Sequence, residues 1–233
     1  MAGDVARFLG RDRAMIDAVL FDWNNTLVNF EWDDDLVEVG HRAGLGRDDP
    51  EFTARWRETM LGDDTKDRRY ADVLHELGVA DPDAFIDAEH EVWRPTHSVL
   101  ASAQALLEAL RSRGIKTGLV ANSWPDPGRV LRRDAELFGL AERLDVLVFS
   151  EEVGLRKPDP EIFLYACSQL EVDAAATMFV GDNLVTDVQA AADVGMTTVQ
   201  ALWFRADDTP GIEADFMAFT PMDVLNAVLR LAL

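Results

Sequence analysis

The chain is poor in positive charge. Against 43 Asp and Glu stand 22 Lys and Arg, giving a formal charge of −21. A surface this negative repels nucleic acid and anionic membranes, so neither is an expected partner. Cysteine is almost absent. The single Cys167 excludes an internal disulfide and suits a reducing compartment. It lies in EIFLYACSQL, where helical spacing sets it among apolar neighbours as a buried, inert thiol. Long hydrophobic runs are also missing. No segment is a continuous apolar stretch of transmembrane length. Charges interrupt the N-terminal MAGDVARFLGRDRAM, which does not read as a signal peptide. The expectation is a soluble cytoplasmic protein. Lysine is scarce as well: Lys66, Lys116 and Lys157 are the only three, and the other 19 bases are Arg. Where Arg is the default cation, each Lys asks for a reason.

What is present is apolar and patterned. Of 233 residues, 48% are hydrophobic, enough for one good core or for a core with a smaller satellite. Short β-rich runs occur at 18–22, 116–122, 145–150, 177–182 and 197–203. Most are continuous rather than alternating, which predicts strands buried on both faces. Between them, 98–112 (with Ser98 as N-cap and Gly114 as stop), 128–138, 160–170 and 185–194 read as helices. Alternating strands and helices predict an α/β fold, a Rossmann-like parallel sheet flanked by helices. Residues 31–97 break the rhythm and read as all-helical. The division expected is a core of 1–30 and 98–233 with a helical insertion at 31–97, after the first strand.

In such sheets ligands bind at the carboxyl ends of the strands. Asp22, Asn24 and Thr26 follow the first predicted strand; Asn122 and Ser123 follow the second. Lys157 follows the third in EEVGLRKPDP, and Asp182 and Asp187 follow the fourth in GDNLVTD. Hard carboxylate oxygens suit Mg2+. A phosphoryl group among carboxylates needs that ion and a cation, Lys157, to be tolerated. Hydroxyls and backbone N–H groups in the turns can hold its oxygens, and an Asp can act as nucleophile through an aspartyl-phosphate.

VLFDWNNTLV, GLVANS, GLRKPDPEIF and FVGDNLVTDVQAA resemble, in order, the four motifs of the haloacid dehalogenase superfamily. The helical stretch at 31–97 stands where that superfamily carries its C1-type cap. The resemblance covers nearly the whole chain. It implies a Mg2+-dependent hydrolase, a phosphatase of small phosphorylated metabolites. In it Asp22 is the nucleophile and Lys157 the neutralising cation. Asp22, the backbone carbonyl of Asn24, Asp182 and Asp187 hold the metal, and Asn122, Ser123 and Thr26 bind the substrate.

Two residues depart from that pattern. The family's phosphatases carry Asp, the general acid and base, where this chain has Asn24, which orients but cannot transfer a proton. Ala121 stands where Ser or Thr precedes Asn; either Ser123, two residues on, supplies the hydroxyl, or Asn122 and backbone N–H groups do the whole job. Losing general acid catalysis costs about 10²–10⁴ in rate. Two other readings follow: a metal-independent haloacid dehalogenase, in which halide leaves without a proton, and a catalytically silent binding protein. The dehalogenase branch typically has Tyr at the position of Asn24 and does not need the acidic pair that this chain retains. His41, His75, His90 and His97 lie in or beside the insertion. A lone helical His is more often structural, so none is given a catalytic role. Asp187 is open to a second account, as an acid favoured at a helix N-terminus. Trp23, Trp32, Trp93 and Trp124 are candidate pocket walls, and Arg47 reads as a solvated loop residue.

Overall fold

The computed structural model describes residues 15–31, 34–61 and 68–232; Trp32 and Lys66 lie outside them. In chain order, β1 (Ala18–Phe21) and β2 (Val28–Phe30) precede four helices: α1 (Asp34–Leu45), α2 (Pro50–Met60), α3 (Tyr70–Glu76) and α4 (Pro82–Trp93). Then come β3 (His97–Val99), α5 (Ala101–Arg111), β4 (Lys116–Ala121), α6 (Gly128–Leu137), β5 (Val146–Phe149), α7 (Ser150–Val153) and α8 (Pro160–Leu170). The chain ends with β6 (Thr177–Gly181), a π-type segment (Leu184–Gln189) running into α9 (Ala190–Asp193), β7 (Thr197–Ala201), β8 (Phe216–Ala218) and α10 (Pro221–Leu231).

Three of the helices begin at an Asp–Pro pair. Asp49, Asp81 and Asp159 accept hydrogen bonds from the backbone N–H groups of Phe52, Ala84 and Glu161, and the following proline occupies the first helical position. The carboxylate meets an orphan donor, and proline gives up an N–H that had no partner to lose.

Six strands form one parallel sheet in the order β5-β4-β1-β6-β7-β8. β1 is central and buried throughout. Its alternate residues serve two cores. Val19 and Phe21 face one layer with Leu106, Leu110 and Val224, from α5 and α10. Ala18 and Leu20 face the other with Ile162, Phe163 and Cys167, from α8. Burial also raises the Cys167 thiol above its ordinary pKa, so it is a core residue, not a thiolate. Strand order reverses at β1, between β4 and β6, which opens a crevice at the carboxyl end of that strand.

The helices α1 to α4 build a third apolar cluster, with Phe52, Trp56, Leu74 and Phe85 at its centre and Val130 of α6 reaching in from the sheet side. α1 and α4 press together closely: a Cβ on Gly44 would stand 2.5 Å from Phe85. The chain enters and leaves this layer through an antiparallel two-stranded ribbon, β2 with β3.

That ribbon corrects one expectation. Ser98 does not cap a helix. It pairs with Asn29 in the ribbon, and α5 starts at Ala101 after an uncapped Leu100. Long-range strand pairing overrides a local cap signal that three residues cannot defend. The helix expected at 185–194 is a π-type segment and a short α-helix in succession, opened by Asn183, whose side chain accepts from the N–H groups of Val185 and Thr186. Among the described residues no helix is long and apolar enough to cross a membrane.

Candidate active site

Asp22 extends β1 by one residue, its N–H donating to Val180 O at 2.9 Å. The chain then turns at once. Asn25 adopts φ 55°, a left-handed conformation Asn tolerates, and the N–H groups of Leu27 and Val28 donate back to Trp23 O. The turn leaves Asp22 buried and Asn24 exposed.

Two other segments deliver the remaining charges: the loop between α7 and α8 carries Lys157, and the stretch after β6 carries Asp182 and Asp187. Lys157 Nζ donates to Asp22 Oδ1 at 2.5 Å and to Asp187 Oδ1 at 2.7 Å. Asp187, on the π-type segment, is 1% exposed and bonded to Lys157, so it is part of this cluster and not a solvated helix-end acid. A Cβ at position 181 would fall 2.5 Å from the Asp187 carboxylate; glycine there is what lets the acid in. Carboxylate oxygens of Asp22, Asp182 and Asp187 lie within 4.8 Å of one another.

Three carboxylates and one ammonium are all under 10% exposed, and Arg205 approaches Asp182 from outside, so one formal negative charge is in excess. The strain is visible in proton affinity. Burial raises the Asp22 pKa to about 7; Lys157 opposes that rise, while Asp187 and Asp182 reinforce it. Burial and Asp187 likewise raise Asp182 to about 6. Lys157 moves up in spite of its burial, because Asp187 and Asp22 hold its proton. Asp182 Oδ2 is buried without a hydrogen bond; Arg205 Nε comes within 2.9 Å of it but without hydrogen-bond alignment. A crowd of hard oxygens with surplus negative charge and one unbonded atom fits a divalent cation such as Mg2+.

The other motif residues close around this cluster. Asn122 grips the backbone of Lys157 from both sides: its Nδ2 donates to Lys157 O and its Oδ1 accepts from Lys157 N, each at 2.9 Å. Ser123 N donates to Ser150 Oγ at 2.9 Å. The hydroxyls of Ser123 and Thr26 are buried and have no hydrogen-bond partner among the described residues, a state that asks for a ligand oxygen. Arg47, by contrast, is an exposed loop residue paired with Asp49.

Beside Asn24 lies a cavity of about 60 Å3. Trp23, Phe30, Trp93 and Trp124 wall it, and His97 and Asp126 face it. His90 and His97, from the helical insertion and its return strand, converge with Asp126 and Asp134 from the α6 region. His90 Nδ1 meets Asp126 Oδ1 at 3.0 Å, His90 Nε2 meets Asp134 Oδ2 at 2.8 Å, and His97 Nδ1 meets that same oxygen at 3.2 Å. His90, His97 and Asp134 also have the spacing of a metal site. Both His90 nitrogens, however, are already bonded to carboxylates, and a protonated imidazole answers their charge. Sequence separations of 36 to 44 residues hid these pairs.

Burial opposes protonation of His90, but the bonds to Asp126 and Asp134 outweigh it and raise its pKa to about 9. A histidine raised from an unfolded value of 6.5 stabilises the fold fully below about pH 6.5, and that contribution fades as pH rises through 9. The rise from 6.5 to about 9 corresponds to roughly 3 kcal/mol. Asp134, lowered to about 2, is the same ion pair seen from its other end and is not added. Urea unfolding therefore shows the wild type losing about that much more than His90→Gln between pH 6.5 and 9, the variant being the weaker at neutral pH.

Residues 16–195 match the haloacid dehalogenase-like hydrolase family. The chain is 29% identical to the N-acetylmuramic acid 6-phosphate phosphatase of Pseudomonas aeruginosa, over 94% of this chain and 97% of that one. It is 32% identical to the plasmid-encoded phosphoglycolate phosphatase of Cupriavidus necator, over 91% and 90%. The crystal structure of a phosphatase of the same superfamily from Thermococcus onnurineus superposes with a TM-score of 0.72 at 26% identity, over 91% of this chain and 98% of that one.

Proposed function

The chain belongs to the haloacid dehalogenase-like hydrolases, and we propose that within them it is a Mg2+-dependent phosphatase of small phosphorylated metabolites. One observation carries the reading: a buried Asp22 whose Oδ1 is held by Lys157, beside two further carboxylates with negative charge to spare. Asp22 attacks phosphorus, and a P–O bond to the carboxylate forms as the bond to the leaving group breaks. Lys157 steadies both the nucleophile and the arriving phosphoryl group. Asn122 positions Lys157 by its grip on the backbone. The Ser123 and Thr26 hydroxyls supply donors for phosphate oxygens. Asp22, Asp182, Asp187 and the backbone carbonyl of Asn24 would hold Mg2+. When bound, that ion supplies the positive charge a phosphoryl group needs in this place.

Residues 31–97 act as the cap over a core of 1–30 and 98–233, excluding water and choosing the substrate. A single cysteine and the strongly negative charge agree with a cytoplasmic enzyme acting on small molecules. Dehalogenation is the weaker reading, because it has no use for three converging carboxylates.

The test is phosphate release from p-nitrophenyl phosphate, whose aryl leaving group needs little protonation. Turnover is expected with Mg2+ and is lost at least about 10²-fold in EDTA. No release in either condition by folded protein overturns the reading and directs the next assay to haloacids.

A further inference from the structure

An alkyl phosphate gives up its alcohol readily only if the departing oxygen receives a proton. Asn24 cannot supply one. Of the side chains lining the cavity beside Asn24, two are titratable, Asp126 and His97. Asp126 is already engaged, its Oδ1 paired with His90 Nδ1. His97 is placed differently. Its Nδ1 faces Asp134 Oδ2 at 3.2 Å, and Asp134 is wholly buried. A carboxylate at Nδ1 fixes a proton there and orients the ring, which leaves Nε2 as the working atom. Among the described residues Nε2 has no hydrogen-bond partner. The ring is also clamped from the ribbon. His97 pairs with Phe30 across β2 and β3, and the two rings meet edge to face at 4.8 Å. That ribbon grows directly out of the turn carrying Asn24, so the position of His97 relative to the cavity is set by backbone pairing and not by a loop.

We propose that His97 is the general acid and base of this enzyme, working through Nε2 from the wall of the cavity in place of the acid that Asn24 is not. The assignment rests on the phosphatase reading of Asp22. As the Asp22–phosphorus bond forms and the ester P–O bond breaks, the Nε2 proton passes to the leaving oxygen and an alcohol departs. The neutral imidazole, still held by Asp134 at Nδ1, then takes a proton from water. That water's oxygen bonds to phosphorus, the Asp22–phosphorus bond breaks, and inorganic phosphate leaves with the carboxylate and the imidazolium restored. Protons and bonds balance over the cycle, with water as the only co-reactant.

The experiment compares an alkyl with an aryl ester, glycerol 2-phosphate with p-nitrophenyl phosphate, in the full chain with Mg2+. His97→Gln is expected to lower kcat/KM for the alkyl ester about 10²–10⁴-fold more than for the aryl ester. Adding Asn24→Asp to His97→Gln is expected to recover the alkyl rate, because the acid is restored at the neighbouring position. An equal loss on both esters overturns the assignment, since a structural role moves both alike. So does a wild type that turns over the aryl ester alone, for such a site uses no acid. A readout on the wild type covers the case of a variant that fails to fold. Across aryl phosphates of rising leaving-group pKa, an enzyme with an acid shows a shallow decline in rate, and a steep decline overturns the proposal. Absence of turnover on every ester brings down the phosphatase reading, and this assignment with it; turnover of both esters with an unselective His97→Gln brings down the assignment alone.

Discussion

Asp22→Asn abolishes turnover and stabilises the protein. The first half follows from removing the nucleophile: an amide has no carboxylate oxygen to bond phosphorus, and the loss should exceed about 10⁴-fold, or roughly 5 kcal/mol in the barrier. The second half follows from electrostatics. The Asp22 carboxyl has a pKa of about 7 in the fold against 3.8 in the unfolded chain. A carboxyl raised on folding binds protons more tightly in the native state, so stability falls as pH climbs from about 4 to about 7. The rise from 3.8 to about 7 corresponds to at most a few kcal/mol, because the proton on Asp22 is shared with charged neighbours that respond to it. Asn at position 22 still accepts the Lys157 hydrogen bond and carries no charge. Urea unfolding in EDTA should therefore find variant and wild type alike near pH 4, and the variant ahead by up to a few kcal/mol at pH 8. A variant that is inactive and also less stable at pH 8 contradicts the account of Asp22 as a strained nucleophile. The strain belongs to a site that gives up stability for function.

The division between what the sequence disclosed and what it hid runs along contact range. β1, β4 and β6 were legible because a strand buried on both faces reads as a continuous apolar run, and Asp22, Asn122 and Asp182 follow the ends of those runs. Lys157 stood out by rarity, and its partners proved to be Asp22 and Asp187. For Asp187 the sequence alone allows a helix-end account as well; the bond to Lys157 and the room that Gly181 leaves for its carboxylate are long-range features. The ribbon of β2 and β3 was missed because three-residue strands carry no period, and Ser98 offered a competing helix start. Arg205 was missed because the loop after β7 lay outside the motifs. The pairing of His90 and His97 with Asp126 and Asp134 was missed for a more general reason. Each histidine taken alone is an ordinary residue, and only the docking of the helical layer on α6 brings acids to it. A site assembled across two layers has no local signature.

Lys157→Met should separate the structural and catalytic duties of the ammonium buried in this cluster. Methionine keeps much of the length and apolar stem, and the Asn122 grip on the backbone at 157 does not depend on the side chain. What goes is the charge that joins Asp22 Oδ1 at 2.5 Å to Asp187 Oδ1 at 2.7 Å. Removing one member of a buried ion pair costs about 3–5 kcal/mol, because the partners are left uncompensated. Here three carboxylates are left. They can escape by taking up protons, so the loss should be small near pH 5 and grow toward pH 8, as read by urea unfolding in EDTA. Mg2+ offers them another cation, and without the repelling ammonium they should bind it more tightly. Calorimetric titration should show a lower Kd for Mg2+ in the variant, and Mg2+ should raise its Tm by more than it raises the wild type's. Activity should not return with stability. The phosphoryl group still arrives without the ammonium that met its charge, and removing one preorganised donor of that kind costs about 10²–10³ in kcat. A variant whose activity recovers along with its Tm in Mg2+ would make Lys157 a structural counterion only. Recovery of the fold without recovery of the rate would place the lysine in the chemistry.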